Sequence, residues 1–382
     1  MGTDARSRLT VLHVTPEMTP VSKVGGLADV AGSLPGALQR LGVDARVFTP
    51  SWPGVAERLR DLGARAISGP DRICVPFGGR KVCSDFSVVD LAGTSLCLLE
   101  DDELFSNPSI YPEKLDPLSA MPFAFLSLAA VEYSLSNEWK PQILHLHDWP
   151  SSLVPAALKW HRVYGVAREG PRTVLTIHNI AHQGILPLSA LDEWGFGPEA
   201  LTLDGVEFYG SANLLKGGIT ASDAVVTVSP NYAREILSPE FGEGLEGVLE
   251  YRKSKITGIL NGIDTASWDP WRDKAIPANF RTGDMKGKQT CRAVLLSECG
   301  WEGFSGPLIV SVGRLVRQKG LELLLHALDE ILSMGARLVL IGTGERELEE
   351  RFSREAIRRQ DGLHFRRAFD EGFARLAYAG GG

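Results

Sequence analysis

The chain has 382 residues, 44% of them hydrophobic and 23% charged, with a formal net charge of −7. That length suggests two domains, and the acidic balance argues against a non-specific nucleic-acid binder. No run reaches the roughly 18 consecutive apolar residues of a membrane span, and the N-terminus lacks the apolar segment and small-residue cleavage site of a signal peptide. The five cysteines form no CxxC pair. They are expected as free thiols, which fits a reducing, cytoplasmic setting.

In chain order, "LTVLHVTPE" reads as a strand ending at a turn, "GGLADVAGSLPGALQRLG" as a helix, and "VDARVFTP" as the next strand. Strand, helix, strand in about forty residues is a right-handed parallel βαβ unit. "QILHLHD" is a further strand leading into the helix "WPSSLVPAALKWHR", followed by the strands "RTVLTIHN" and "DAVVTVSP". Their continuous apolar character suits strands buried on both faces. Residues 265–304 lack a clear period and read as a connector with short helices between a domain at 1–264 and a second at 305–382. The second repeats the pattern: strand "PLIVSVGRL", helix "LELLLHALDEILSMG", strand "RLVLIGTG", helix "ERELEERFSREAIRRQDG", strand "LHFRRAF" and a helix from Asp370. The fold class is therefore α/β, two doubly wound Rossmann-like domains facing a cleft. The second is expected to be incomplete, because only about 75 residues follow the connector against the roughly 100–150 of a whole domain.

Ligands of such folds bind beyond the carboxyl ends of the strands, so loops after strands carry the informative residues. In "SKVGGLADV", Gly25 and Gly26 permit close backbone approach at a helix N-terminus, and Lys23 adds a point charge. Together they suit a phosphate or diphosphate. A glycine-rich turn with a solvent lysine is the competing reading. In "SVGRLVRQKG", Arg314 and Lys319 flank a turn before a helix and could clamp a diphosphate, against a solvated basic turn. In "HLHDWP", alternation along a strand puts His145 and His147 on one face. A third metal ligand is not evident, so no metal is expected, and Asp148 could accept sugar hydroxyls. His178 follows a strand in "TIHNIAHQG" and could face the cleft or be a satisfied structural histidine. Asn261 in "GILNGIDTASWDP" either shapes a turn or meets ligand.

These motifs, with "GSANLLKGGITASDAVVTVSPNYAREI" and "EGLEGVL", run in one order along nearly the whole chain. The sequence resembles the bacterial glycogen synthases and plant starch synthases, glycosyltransferases of the GT-B fold. The resemblance implies transfer of glucose from ADP-glucose to the non-reducing 4-OH of an α-1,4-glucan, with retention and with no metal or other cofactor. It implies that Lys23 contacts the donor near its phosphates, that Arg314 and Lys319 hold the diphosphate, that His178 lies by the transferred glucose, and that Asp148 and Asn261 line the sugar side. Phe369 takes the place of an aromatic that stacks near the nucleobase. The family continues past the last helix into a segment with two glutamates, the first acting at the reacting glucose. That segment is absent from the 382 residues, so the chain is expected to be inactive alone. A non-catalytic glucan-binding remnant and a UDP-glucose-dependent GT-B enzyme are the alternatives.

Overall fold

A computed structural model describes residues 8–166, 170–368 and 370–382. The chain divides into two compact units, Met1–Gly262 and Ile263–Gly382.

The first unit is built on β1 (Thr10–Val14), β2 (Asp44–Pro50), β3 (Arg65–Phe77), β4 (Arg80–Leu91), β5 (Thr94–Glu100), β6 (Ile143–His147) and β7 (Arg172–Ile177). After it come β8 (Ile185–Pro187), β9 (Glu207–Phe208), β10 (Ser211–Asn213), β11 (Ala224–Thr227) and β12 (Ile256–Gly258). Nine of these form one sheet in the order β12-β11-β7-β6-β1-β2-β5-β4-β3. From β12 to β5 the strands are parallel, and β4 and β3 add an antiparallel edge. Strands β8, β10 and β9 make a small separate sheet.

Residues 65–100 form three strands, β3, β4 and β5. Within them the expectation of five free thiols fails. Cys74 and Cys83 face each other across β3 and β4, 4.1 Å apart at Cα, and form a disulfide. Their spacing brackets the Gly78-Gly79 turn of a hairpin, a pairing that a search for CxxC does not find. Cys97, Cys291 and Cys299 remain thiols.

One described helix, Pro117–Ser136, is long and apolar enough to cross a membrane by composition. It starts on a reciprocal cap between Asp116 and Ser119. Phe123, Phe125, Leu126 and Leu128 along it are fully buried in the first unit's core. Burying each such side chain contributes about 1.5–3 kcal/mol. An apolar circumference is what a helix enclosed by protein requires.

The connection from β5 through this helix to β6 carries the chain back across β1 and β2 to the opposite side of the sheet. The point where strand order reverses is thus between β1 and β6, where doubly wound sheets open a crevice at the carboxyl ends of their strands.

The second unit is a parallel sheet of β13 (Leu308–Val312), β14 (Arg337–Ile341) and β15 (Leu363–Arg366), in that order. Alternation along β14 decides its two cores. Val339 and Ile341 pack with Leu295, Phe373 and Leu376 on one face, and Leu338 and Leu340 with Leu328, Leu348 and Phe352 on the other. Three strands therefore carry helices on both faces. Residues 265–304, expected as a connector with short helices, hold the helix Lys286–Glu298, whose Cys291, Leu295 and Leu296 belong to the first of these cores.

Candidate functional site

Three neighbouring strands, β1, β6 and β7, end together at the switch point, and the residues just past each end are polar, those after β1 and β6 buried and the one after β7 half-buried. Thr15 and Glu17 follow β1, Asp148 follows β6, and His178 follows β7. A buried polar group is costly unless paired, so their partners define the site.

Four imidazoles cluster here. His145 and His147 do share a face of β6, with ring centroids 4.6 Å apart. A third imidazole, not evident from the sequence, is supplied by His13 on β1, which pairs in register with His145. Ring nitrogens of His13, His145 and His147 lie within 4.8 Å of one another. Two of those rings are already joined by hydrogen bonding: His13 Nδ1 is 3.4 Å from His147 Nε2, and His147 Nδ1 is 3.1 Å from His178 Nε2. His145 Nε2 meets the Thr176 hydroxyl at 2.8 Å. Burial, then the neighbouring rings, holds His13 and His147 well below the ordinary value of 6.5, and burial lowers His145 and His178 to about 4. All four are neutral at pH 7.

Asp148 takes a left-handed backbone, φ 56°, a region that costs a non-glycine residue about 1–3 kcal/mol. Its carboxylate turns back to accept the backbone N–H of His178 at 2.7 Å and of Asn179 at 3.4 Å. Burial pushes Asp148 up to about 7 against the lowering effect of those donors, and the nearby Glu17 charge raises it further. Near neutrality it can both donate to and accept from a hydroxyl.

The glycine loop differs in one respect from the anion cradle read from its sequence. Gly25 is the N-cap of the helix Gly26–Arg40. The backbone N–H groups of Val24 and Gly25 are given to the buried Glu17 carboxylate, which also accepts the Tyr111 hydroxyl at 3.1 Å. The loop is held from behind by a fixed anion of the chain itself. Gly26 is exposed, with open space where a Cβ would stand, and it begins the first turn, whose N–H groups lie at the positive end of the helix dipole. Lys23 is at the surface, its ammonium 2.7 Å from Asp29 on that turn. The lysine is thereby kept beside the helix N-terminus.

In the second unit, Arg314 and Lys319 follow β13 and are both exposed. Neither forms an ion pair among the described residues, whereas Arg317 between them lies within 4 Å of Glu322, Glu345 and Glu347. Gly320, at φ 68°, closes the basic turn and caps the helix Leu321–Ser333. Asn261 is exposed beyond β12. Phe369 lies outside the described residues.

Sequence reading missed His13 and Glu17. Each has a signal: a histidine inside an otherwise apolar strand, and an acid placed between that strand and the glycine loop.

Residues 10–251 match the family described as the starch synthase catalytic domain. Over 379 residues the chain is 37% identical to glycogen synthase 1 of Rhizobium meliloti, spanning 97% of this chain and 76% of that protein. Glycogen synthase of an Anaeromyxobacter species is 39% identical over 378 residues, 97% of this chain and 77% of the relative. Among solved structures, the catalytic domain of starch synthase IV from Arabidopsis thaliana, bound to ADP and acarbose, superposes with a TM-score of 0.87 at 29% identity, covering 98% of this chain and 77% of that one. The chain belongs to the family of bacterial glycogen synthases and plant starch synthases.

Proposed function

We propose that this chain is a retaining glycosyltransferase that binds ADP-glucose and elongates an α-1,4-glucan, the C1–O bond to the diphosphate breaking as one to the acceptor's 4-oxygen forms and the 4-hydroxyl's proton passing to the departing ADP. The observation that carries the reading is membership of the synthase family along 97% of the chain, together with the ADP and acarbose held by the Arabidopsis relative. Departure of ADP concentrates negative charge on the diphosphate, and fixed cations stabilise that charge in the transition state. Arg314 and Lys319 supply it, the guanidinium as a two-pronged donor and the ammonium as a point charge. Lys23 and the first-turn N–H groups from Gly26 onward add to it, with Gly25 shaping their approach. Cationic side chains do the work of a divalent ion, and the proposal includes none. Asp148, His178 and Asn261 meet the sugar, and Phe369 the nucleobase. A cytoplasmic place of action belongs to the same proposal; Cys97, Cys291 and Cys299 as thiols favour it, and the Cys74–Cys83 disulfide counts against it.

Calorimetric titration of the 382-residue chain with ADP-glucose and UDP-glucose tests it, alongside co-sedimentation with glycogen. ADP-glucose is expected to bind more tightly, and Lys23→Ala and Arg314→Ala each to weaken it by about tenfold, the worth of one charge-assisted hydrogen bond. UDP-glucose binding as tightly, or unchanged affinity in both variants, would refute the reading.

A further inference from the structure

The contacts His13–His147–His178 form a chain of three rings with two links, and each link needs one hydrogen. The central ring uses both of its nitrogens. A neutral imidazole carries a single N–H, so His147 donates through one link and accepts through the other, and the two links run in the same direction. Two arrangements satisfy this. In one, His178 Nε2–H donates to His147, whose Nε2–H donates to His13. The proton of His13 then sits on Nε2, which is buried with no hydrogen-bond partner among the described residues. In the other, His13 Nδ1–H donates to His147 Nε2, and His147 Nδ1–H donates to His178 Nε2. The orphaned atom of His13 is then a bare lone pair. A buried N–H without an acceptor is the rarer defect in folded proteins, an under-used acceptor the more tolerated one. The second arrangement therefore prevails, and it leaves the only ring proton of His178 on Nδ1.

We propose that His13 and His147 are positioning residues that hold His178 as the neutral Nδ1–H tautomer, so that it offers the glucose of the donor a hydrogen-bond donor and not a lone pair. The inference rests on the reading of His178 as a sugar-side residue. Its consequence is that His178 neither removes a proton from the acceptor nor adds positive charge to the site. It fixes the sugar through one directed N–H. The neutrality that the relay needs agrees with the lowering of all the rings by burial. Thr176 engages the Nε2 of His145 separately, so His145 stands beside the relay and not in it.

The test is long-range proton–nitrogen NMR on the full chain labelled in its histidine rings, where a protonated and a bare ring nitrogen resonate well apart. His178, His147 and His13 are each expected to show a protonated Nδ1 and a bare Nε2 at neutral pH. His147→Phe keeps the ring volume but removes the relay, and should release His178 into mixed tautomers. His147→Asn, whose amide can still donate from the Nδ1 position, should restore the Nδ1–H form. In parallel, the preference for ADP-glucose over ADP, which isolates contacts to the sugar, should fall by about fivefold in His147→Phe and recover in His147→Asn, as expected for loss of one hydrogen bond. A wild-type His178 protonated on Nε2, or cationic at neutral pH, would overturn the proposal. So would stoichiometric Zn²⁺ shifting the nitrogens of His13, His145 and His147 together, which would make the cluster a metal site. The expected tautomers, with an unchanged ADP-glucose preference in His178→Ala, would sustain the relay and sink the sugar-side reading of His178 instead.

Discussion

Glu17 does at the glycine loop what a bound anion is usually left to do. Its carboxylate accepts two successive backbone N–H groups and the Tyr111 hydroxyl, and it is buried. Under the proposed function, a donor diphosphate at this helix would meet the first-turn N–H groups from Gly26 onward and the Lys23 ammonium, on a loop held by Glu17. Glu17→Gln keeps the shape and one acceptor oxygen but removes the charge. Weakening of charge-assisted bonds in a buried site is worth about 1–3 kcal/mol. Urea unfolding should show a loss of that size, and titration should show weaker ADP-glucose binding because Gly25 loses its anchor. A variant as stable and as tight-binding as the parent would mean that the carboxylate does not hold the loop. The same logic separates neighbouring arginines: Arg317 is engaged by three carboxylates, so Arg317→Ala should leave donor affinity near that of the parent where Arg314→Ala does not.

Among elements, the helix Lys286–Glu298 falls where short helices were expected, but its place in the second unit's core does not show in its pattern. Its flanks are rich in Trp, Pro, Gly and charge, and its apolar positions are few, so no period stands out. Its partner, the helix Glu371–Gly380, lies about eighty residues away, and sequence cannot display such a pairing. Gly380 lets the two approach, since a Cβ there would come within 2.9 Å of the Cys291 carbonyl oxygen. Arg375 on the same helix reaches Asp273 at 2.8 Å and lies over the Trp268 ring, drawing the segment before the helix into the unit. If this segment were a connector, Leu295→Ala would be nearly silent. Packed against Phe373 and Leu376 as it is, the truncation should cost about 2–5 kcal/mol. Denaturant unfolding of the variant checks this, and a cost of a few tenths would return the segment to a linker. The parallel strands, by contrast, were legible, because burial on both faces leaves a continuous apolar run that needs no partner to be recognised. The β3–β4 edge was not, because its residues are half exposed and interrupted by polar ones. For the site, loops after strands exposed Lys23, Asp148, His178, Arg314 and Lys319 as candidates. His13 and Glu17 gain meaning only when β1 is laid beside β6, a long-range pairing.

For the molecule as a whole, four neutral imidazoles in one buried cluster make stability depend on pH, and the sign follows from their shared direction. In the unfolded chain each takes up a proton near the ordinary 6.5. In the folded first unit His145 and His178 do so only near 4, and His13 and His147 are also held well below 6.5. Between about 4 and 6.5 the unfolded chain thus binds more protons, so stability is fully present above 6.5 and is lost as pH falls through that window. Asp148 acts in the opposite sense. Raised from 3.8 to about 7, it binds its proton more readily in the folded unit and favours folding at the acid end. One carboxyl opposes four rings, and the rings prevail. The melting temperature of the first unit's transition should therefore rise by about 5–10 °C from pH 5 to pH 7, as a few kcal/mol do for a unit of this size. His145→Gln, which removes one ring while its amide still reaches Thr176, should climb less steeply over the same range. A melting temperature that is flat across the window, or that falls as pH rises, would show that the cluster is solvated or charged in the folded chain, and the neutral relay would fall with it.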